Sequence, residues 1–224
     1  MTAAAPSALA EALTRAARAL DRTGNEGTSG NLSVRTRRGF LITPSGMPYA
    51  QLEPSMMVAM DPDGIPSAGG RPSTEWRFHR DIYATTPAAE AIVHSHSPYA
   101  TALACLGRPI PAFHYETAFA GGADIRCAEY ATFGTQALSD NVLKALQGRQ
   151  ACLMANHGLI AYGASLDQAM MLAAKVEQLA KIYSLSLAIG NPRLLDAAEM
   201  GRIQAKFADY GPGKNPVEDD EPGT

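Results

Sequence analysis

The sequence predicts an α/β fold: one α/β/α layered domain around a mostly antiparallel central sheet. Three observations lead there. At 224 residues the chain suits a single domain with a substantial core. "LSVRT" and "GFLIT" alternate like two paired strands joined by the turn "RRG". Further along, strand-length apolar runs ("AEAIVHSH", "ACLMAN", "GLIAYG") are mixed with segments of helical period.

Taken in order, residues 7–22 read as a helix, because Leu9, Leu13, Ala16 and Leu20 recur on one face before Gly24 stops it. The glycine-rich loop "GNEGTSGNLS" leads into the strand pair, and "MMVAM" (56–60) reads as another strand before the turn "DPDG". "STEWRFHRDIYATT" is a helix capped by Ser73 or Thr74. "AEAIVHSH" is a strand, "SPYATALACLG" a short helix, and "GRPIPAFHYE" extended, since its prolines exclude a helix. "GTQALSDNVLKALQG" is a helix, "ACLMAN" and "GLIAYG" are strands, and "SLDQAMMLAAKVEQLAKIYSLSLAIG" is a long helix. A last helix ends near Tyr210, and the acidic, breaker-rich residues 212–224 read as a disordered tail after one domain, 1–211.

Composition narrows the function. A net charge of −3 offers no basic surface for nucleic acid. Glu11, Arg15 and Arg18 interrupt the Ala- and Leu-rich start, which therefore lacks the apolar core of an export signal. No stretch is apolar long enough to span a membrane. Cys105, Cys127 and Cys152 show no paired spacing and read as buried, reduced thiols of a cytoplasmic protein.

Four features carry chemistry. In "VHSHS" a strand would point His94 and His96 to the same side, a two-ligand metal platform or an ordinary polar pair. His157 follows an apolar strand and precedes Gly158; it is either a turn histidine or a third imidazole for an open zinc site. His79 and His114 are less well placed, and His79 reads as a packed or hydrogen-bonded helix residue. Glu75 begins a helix, where a carboxylate complements the dipole, but beside a metal it could serve as ligand or acid–base group. The loops "GTSGN" (27–31), "TPSG" (43–46) and "ST" (73–74) offer amides and hydroxyls that suit a phosphate, or are simply turns.

Seven blocks, "GTSGNLSVR", "LITPSGMPY", "STEWRFH", "VHSHS", "IPAFHYETAFAGG", "YATFGT" and "NHGLIAYG", occur in the order of the class II aldolase/adducin family, which the chain resembles over residues 7–212. They are most similar to its members that cleave L-fuculose 1-phosphate. The resemblance implies one Zn²⁺ per subunit on His94, His96 and His157, with Mn²⁺ or Co²⁺ as substitutes, and Glu75 as catalytic acid–base. It implies phosphate binding by Thr28, Gly30, Asn31, Ser45, Gly46, Ser73 and Thr74. Tyr115 would reach a neighbouring subunit's site as a proton donor, and Phe133 and Tyr210 would wall the aldehyde end. Related epimerases carry a lysine before "PSG" and an aspartate in place of glutamate; Thr43 and Glu75 here follow the aldolase pattern. The implied function is reversible cleavage of a deoxyketose 1-phosphate to dihydroxyacetone phosphate and an aldehyde, by a cytoplasmic homotetramer with sites at its interfaces. L-Fuculose, 5-deoxyribulose and 5-methylthioribulose 1-phosphates are the candidate substrates; epimerisation, dehydration or decarboxylation on the same scaffold is the other reading.

Overall fold

The stripe of apolar residues near the start is realised in helix α1 (Pro6–Asp21), which buries Leu13, Ala17 and Leu20. The computed structural model describes residues 6–21, 25, 27–67 and 70–208. Seven strands form one sheet: β1 (Asn31–Thr36), β2 (Gly39–Ile42), β3 (Val58–Met60), β4 (Ala91–Ser95), β5 (Cys127–Ala128), β6 (Ala151–Met154) and β7 (Gly158–Gly163). Their spatial order is β3-β2-β1-β4-β7-β6-β5. Every pairing is antiparallel except β5 with β6. The other helices are α2 (Trp76–Thr85), α3 (Pro98–Cys105), α4 (Gln136–Ala145), α5 (Leu166–Ile189) and α6 (Ala197–Ala208).

Strand alternation divides the apolar side chains into two cores. Val34, Ala91, Val93 and Leu153 face α1, α3 and α5, meeting Leu13, Leu103 and Val176. Phe40, Ile42, Ile92 and Ile160 face α2 and α4, meeting Phe78, Ile82 and Val142. Each fully buried Leu, Ile or Phe of these layers contributes about 1.5–3 kcal/mol through removal from water. The α/β/α layering and the mostly antiparallel sheet follow the sequence prediction.

Several local expectations need correction. Helix α2 begins at Trp76 with Glu75 at the N-cap, not Ser73 or Thr74, and no side chain caps its free amides. The run 56–60 is a strand only over Val58–Met60, because Pro54 opens a 3₁₀ turn that takes in Met56. After His114 the segment expected to stay extended tightens into the 3₁₀ turn Tyr115–Ala120, with the His114 side chain accepting from the Glu116 amide. Strand β5 was not expected from the sequence: its two residues borrow their order from β6. Cys152 is buried and Cys127 partly so, but Cys105 is exposed. Burial pushes the Cys127 thiol up to about 11. Tyr210 and the tail 212–224 lie outside the described residues.

Candidate metal centre and active-site cavity

Strand β4 carries His94 inward beside α2, where its ring meets the Phe78 ring edge-on. β4 ends at Ser95, yet His96 still turns to the side of His94, as two-residue periodicity requires. His157 arrives from the three-residue turn between β6 and β7. Asn156 makes that turn possible by adopting the left-handed conformation (φ 54°), which asparagine tolerates well. Its amide nitrogen donates to the Ala104 carbonyl, tying the turn to α3.

The three imidazoles form a nearly equilateral set. Ring centroids are 4.8 Å apart in all three pairs, with interplanar angles of 66°, 80° and 79°. Their candidate ligand nitrogens lie within 4.8 Å of one another. His94 Nδ1 donates to the Leu159 carbonyl at 2.8 Å, which leaves Nε2 with its lone pair facing the centre. Burial, reinforced by charge at His94 and His157, lowers the His96 pKa to about 3 and keeps that ring in the neutral, ligating form.

Glu75 completes the group. Oε2 lies 3.3 Å from His94 Nε2, and Oε1 lies 3.1 Å from His157 Nε2. The latter contact lacks hydrogen-bond geometry, so Oε1 is a buried oxygen without a hydrogen-bond partner. Burial alone would raise the Glu75 carboxyl, but charge at His94 and contacts with both histidines outweigh it and hold the group well below the usual carboxylate range. Three inward nitrogens and an anionic carboxylate with one oxygen unpartnered fit a divalent cation.

A cavity of about 310 Å³ opens from this cluster. Thr28, Gly30, Ser45 and Gly46 line it, as do Ser73, Thr74 and Phe133. The loops are stitched together: Ser45 N donates to the Arg71 carbonyl and Ser73 N to the Thr43 carbonyl. Gly30 is required where it stands, because at φ +78° a Cβ would come 2.5 Å from the His94 carbonyl oxygen. Asn31 also reaches the cavity, but its side chain is turned to Glu75 and His79. No lysine or arginine lines the cavity among the described residues.

Tyr115 is half exposed, stacks on His114 and does not line the cavity of its own chain. His79 is buried and hydrogen-bonded, as its helical position suggested. Sequence reasoning missed Asn25, whose side chain accepts from the His96 amide at 2.6 Å and donates to the Ser29 carbonyl at 2.7 Å, joining the first loop to the metal strand. It also missed Tyr130 and Asn156 in the cavity wall. Each opens a block already singled out, "YATFGT" and "NHGLIAYG", but neither was assigned a role there.

Residues 11–184 match the model of the class II aldolase and adducin N-terminal domain. The chain is 53% identical over 205 residues to a 5-methylthioribulose-1-phosphate/5-deoxyribulose-1-phosphate aldolase of Rhodospirillum rubrum, covering 91% of this chain and 93% of that one. It is 49% identical over 188 residues to an L-fuculose phosphate aldolase of Escherichia coli, with 84% and 87% covered. Among solved structures, an L-fuculose 1-phosphate aldolase superposes with a TM-score of 0.87 at 42% identity, covering 93% of this chain and 98% of that one. Fold, cluster and comparisons together define a metal-dependent aldehyde-lyase. The chain belongs to the class II aldolase and adducin family, and within it is a class II aldolase.

Proposed function

We propose that the protein is a zinc enzyme that reversibly cleaves a deoxyketose 1-phosphate into dihydroxyacetone phosphate and an aldehyde. The observation that carries this reading is the convergence of His94, His96 and His157 with the buried Glu75 carboxylate at the floor of a hydroxyl- and amide-lined cavity. The three histidines would hold the ion, which as a Lewis acid stabilises negative charge developing on oxygen when C3–C4 breaks. Glu75, ionised at rest, would through its unpartnered Oε1 take up the proton that the C4 hydroxyl gives up as C3–C4 breaks, relayed by a neighbouring subunit's Tyr115, and pass it to C3; in synthesis the proton runs the other way. Thr28, Ser45, Ser73 and Thr74, with amides of their loops and the uncapped N-terminus of α2, hold the phosphate without a cationic side chain. Binding energy from the phosphate thereby positions the reacting carbons.

Phe133, Tyr130 and Ala131 give the cavity an apolar wall. It suits an aldehyde with a methyl or methylthio end. The Rhodospirillum rubrum relative matches this chain over 205 residues and the Escherichia coli fuculose enzyme over 188, which favours 5-deoxyribulose or 5-methylthioribulose 1-phosphate over L-fuculose 1-phosphate. In a homotetramer Tyr115 would serve a neighbour's site, consistent with its exposure and its place outside its own cavity. A cytoplasmic enzyme is consistent with the finding that no described helix is long and apolar enough to cross a membrane.

The test is kcat/KM for the three sugar phosphates side by side, followed as release of dihydroxyacetone phosphate. Turnover of all three without that product would indicate epimerisation or dehydration and sink the aldolase assignment of the site.

A further inference from the structure

Beneath Glu75 a buried polar chain runs back into the layer between the sheet and α2. Asn31 Nδ2 donates to Glu75 Oε2 at 2.8 Å. His79 Nε2 lies 2.5 Å from Asn31 Oδ1, and His79 Nδ1 lies 2.7 Å from Ser33 Oγ. Ser33 Oγ lies 2.8 Å from the Tyr83 hydroxyl. Asn31, Ser33, His79 and Tyr83 are all buried. None of them carries an acid–base or metal role in the reaction described above.

Two periodicities build the chain. Asn31 and Ser33, two apart on β1, point to one face of the sheet. Glu75, His79 and Tyr83, four apart at the cap and along α2, form one stripe over that face. The register sets Asn31 opposite His94, so the chain ends beside the metal strand.

Chemistry fixes the direction of every hydrogen bond. An ionised carboxylate only accepts, so the NH₂ end of Asn31 must face Glu75. Its oxygen then faces His79, whose Nε2 must carry the proton. Full burial disfavours a charged ring, so His79 holds one proton and Nδ1 accepts from Ser33. Ser33 in turn accepts from Tyr83. No link can reverse without placing two donors or two acceptors face to face.

We propose that His79 is a positioning residue for the reaction: as the Nε2–H tautomer, with Nδ1 accepting from Ser33, it fixes the Asn31 amide so that Glu75 is held through Oε2 and Oε1 is left to move the proton. This rests on the acid–base role proposed for Glu75. If Ser33 is lost, His79 can adopt the other tautomer, Asn31 can flip, and its oxygen then opposes the carboxylate.

The experiment compares His79→Phe, His79→Gln, Ser33→Ala, Tyr83→Phe and Glu75→Gln with the unaltered enzyme. The readouts are kcat, KM, bound zinc, thermal midpoint, and exchange of the dihydroxyacetone phosphate carbon-bound proton with deuterated water. Ser33→Ala removes one oxygen and guards against a misfolded His79 variant. Expected is an about 10–100-fold loss of kcat and exchange in His79→Phe, with zinc and KM retained. His79→Gln, which keeps an amide donor toward Asn31, recovers part of it. The loss is smaller in Ser33→Ala and smallest in Tyr83→Phe. Undiminished kcat and exchange in well-folded His79→Phe and Ser33→Ala, with Glu75→Gln inactive, overturns the positioning role and leaves Glu75 standing. Losses that merely track missing zinc or unfolded protein, with no recovery in His79→Gln, overturn it as well. Full exchange in Glu75→Gln removes the acid–base reading and this inference with it.

Discussion

His94 Nε2 and His96 Nε2 face each other 3.0 Å apart, with His94 Nδ1 already committed to the Leu159 carbonyl. Two lone pairs do not rest at that distance without a shared proton or cation. In the zinc reading proposed above a cation takes that place, and one zinc per chain by elemental analysis is expected. Chelation should abolish activity and lower the thermal midpoint, because a ligand bound only to the folded state at 100 times its Kd adds about 2.7 kcal/mol. His157→Ala should lose zinc at a metal concentration that saturates the unaltered protein. Full occupancy in that variant would refute the ligand role.

Glu75→Gln keeps the volume of the side chain and the acceptor for Asn31 but removes the base. It should retain zinc and fall in kcat by about 10²–10⁴. Stopped-flow or steady-state release of dihydroxyacetone phosphate checks this, and unchanged turnover would end the assignment.

Gly30 offers a test of the scaffold. A Cβ there would sit 2.5 Å from the His94 carbonyl and 3.2 Å from Ser95 Cα, at a φ of +78° that disfavours other residues. Gly30→Ala should cost about 1–3 kcal/mol in urea unfolding and weaken zinc retention by displacing β4. Gly46→Ala, with nothing within 4 Å of the added carbon, should leave zinc retention unchanged.

Asp81 gives a pH signature away from the metal. Burial would raise its carboxyl, but Arg80, Ser139 and Gln136 donate to it and the net shift is downward from 3.8. A depressed folded pKa contributes stability that is fully present above the unfolded value and is lost as pH falls through the folded one. Asp81→Asn should thus be less stable than the parent by on the order of 1 kcal/mol near neutrality. The gap should begin to shrink below about pH 4 and close as pH falls through the lower, folded value. A gap that stays constant down to acid unfolding would show that the ionised form is not what Asp81 contributes.

Much of this molecule could be read along the chain. Two-residue alternation placed Val93 in one core and His94 opposite it, and helical period placed Leu13 and Leu20 of α1 against the sheet. Local periodicity suffices there, because it is imposed by backbone geometry. The short-lived signals failed: β5 has two residues, and the start of α2 lacks a capping side chain to announce it.

From sequence alone came the layered α/β class, the ordered motif blocks, and the candidates His94, His96, His157 and Glu75. Tertiary structure alone decided which of them meet and how. Asn31 lies 44 residues from Glu75, and His79 lies 46 from Ser33. Those bonds exist because the β1–β4 register and the packing of α2 bring distant segments within 3 Å, and a buried polar group must take whatever partner that packing supplies.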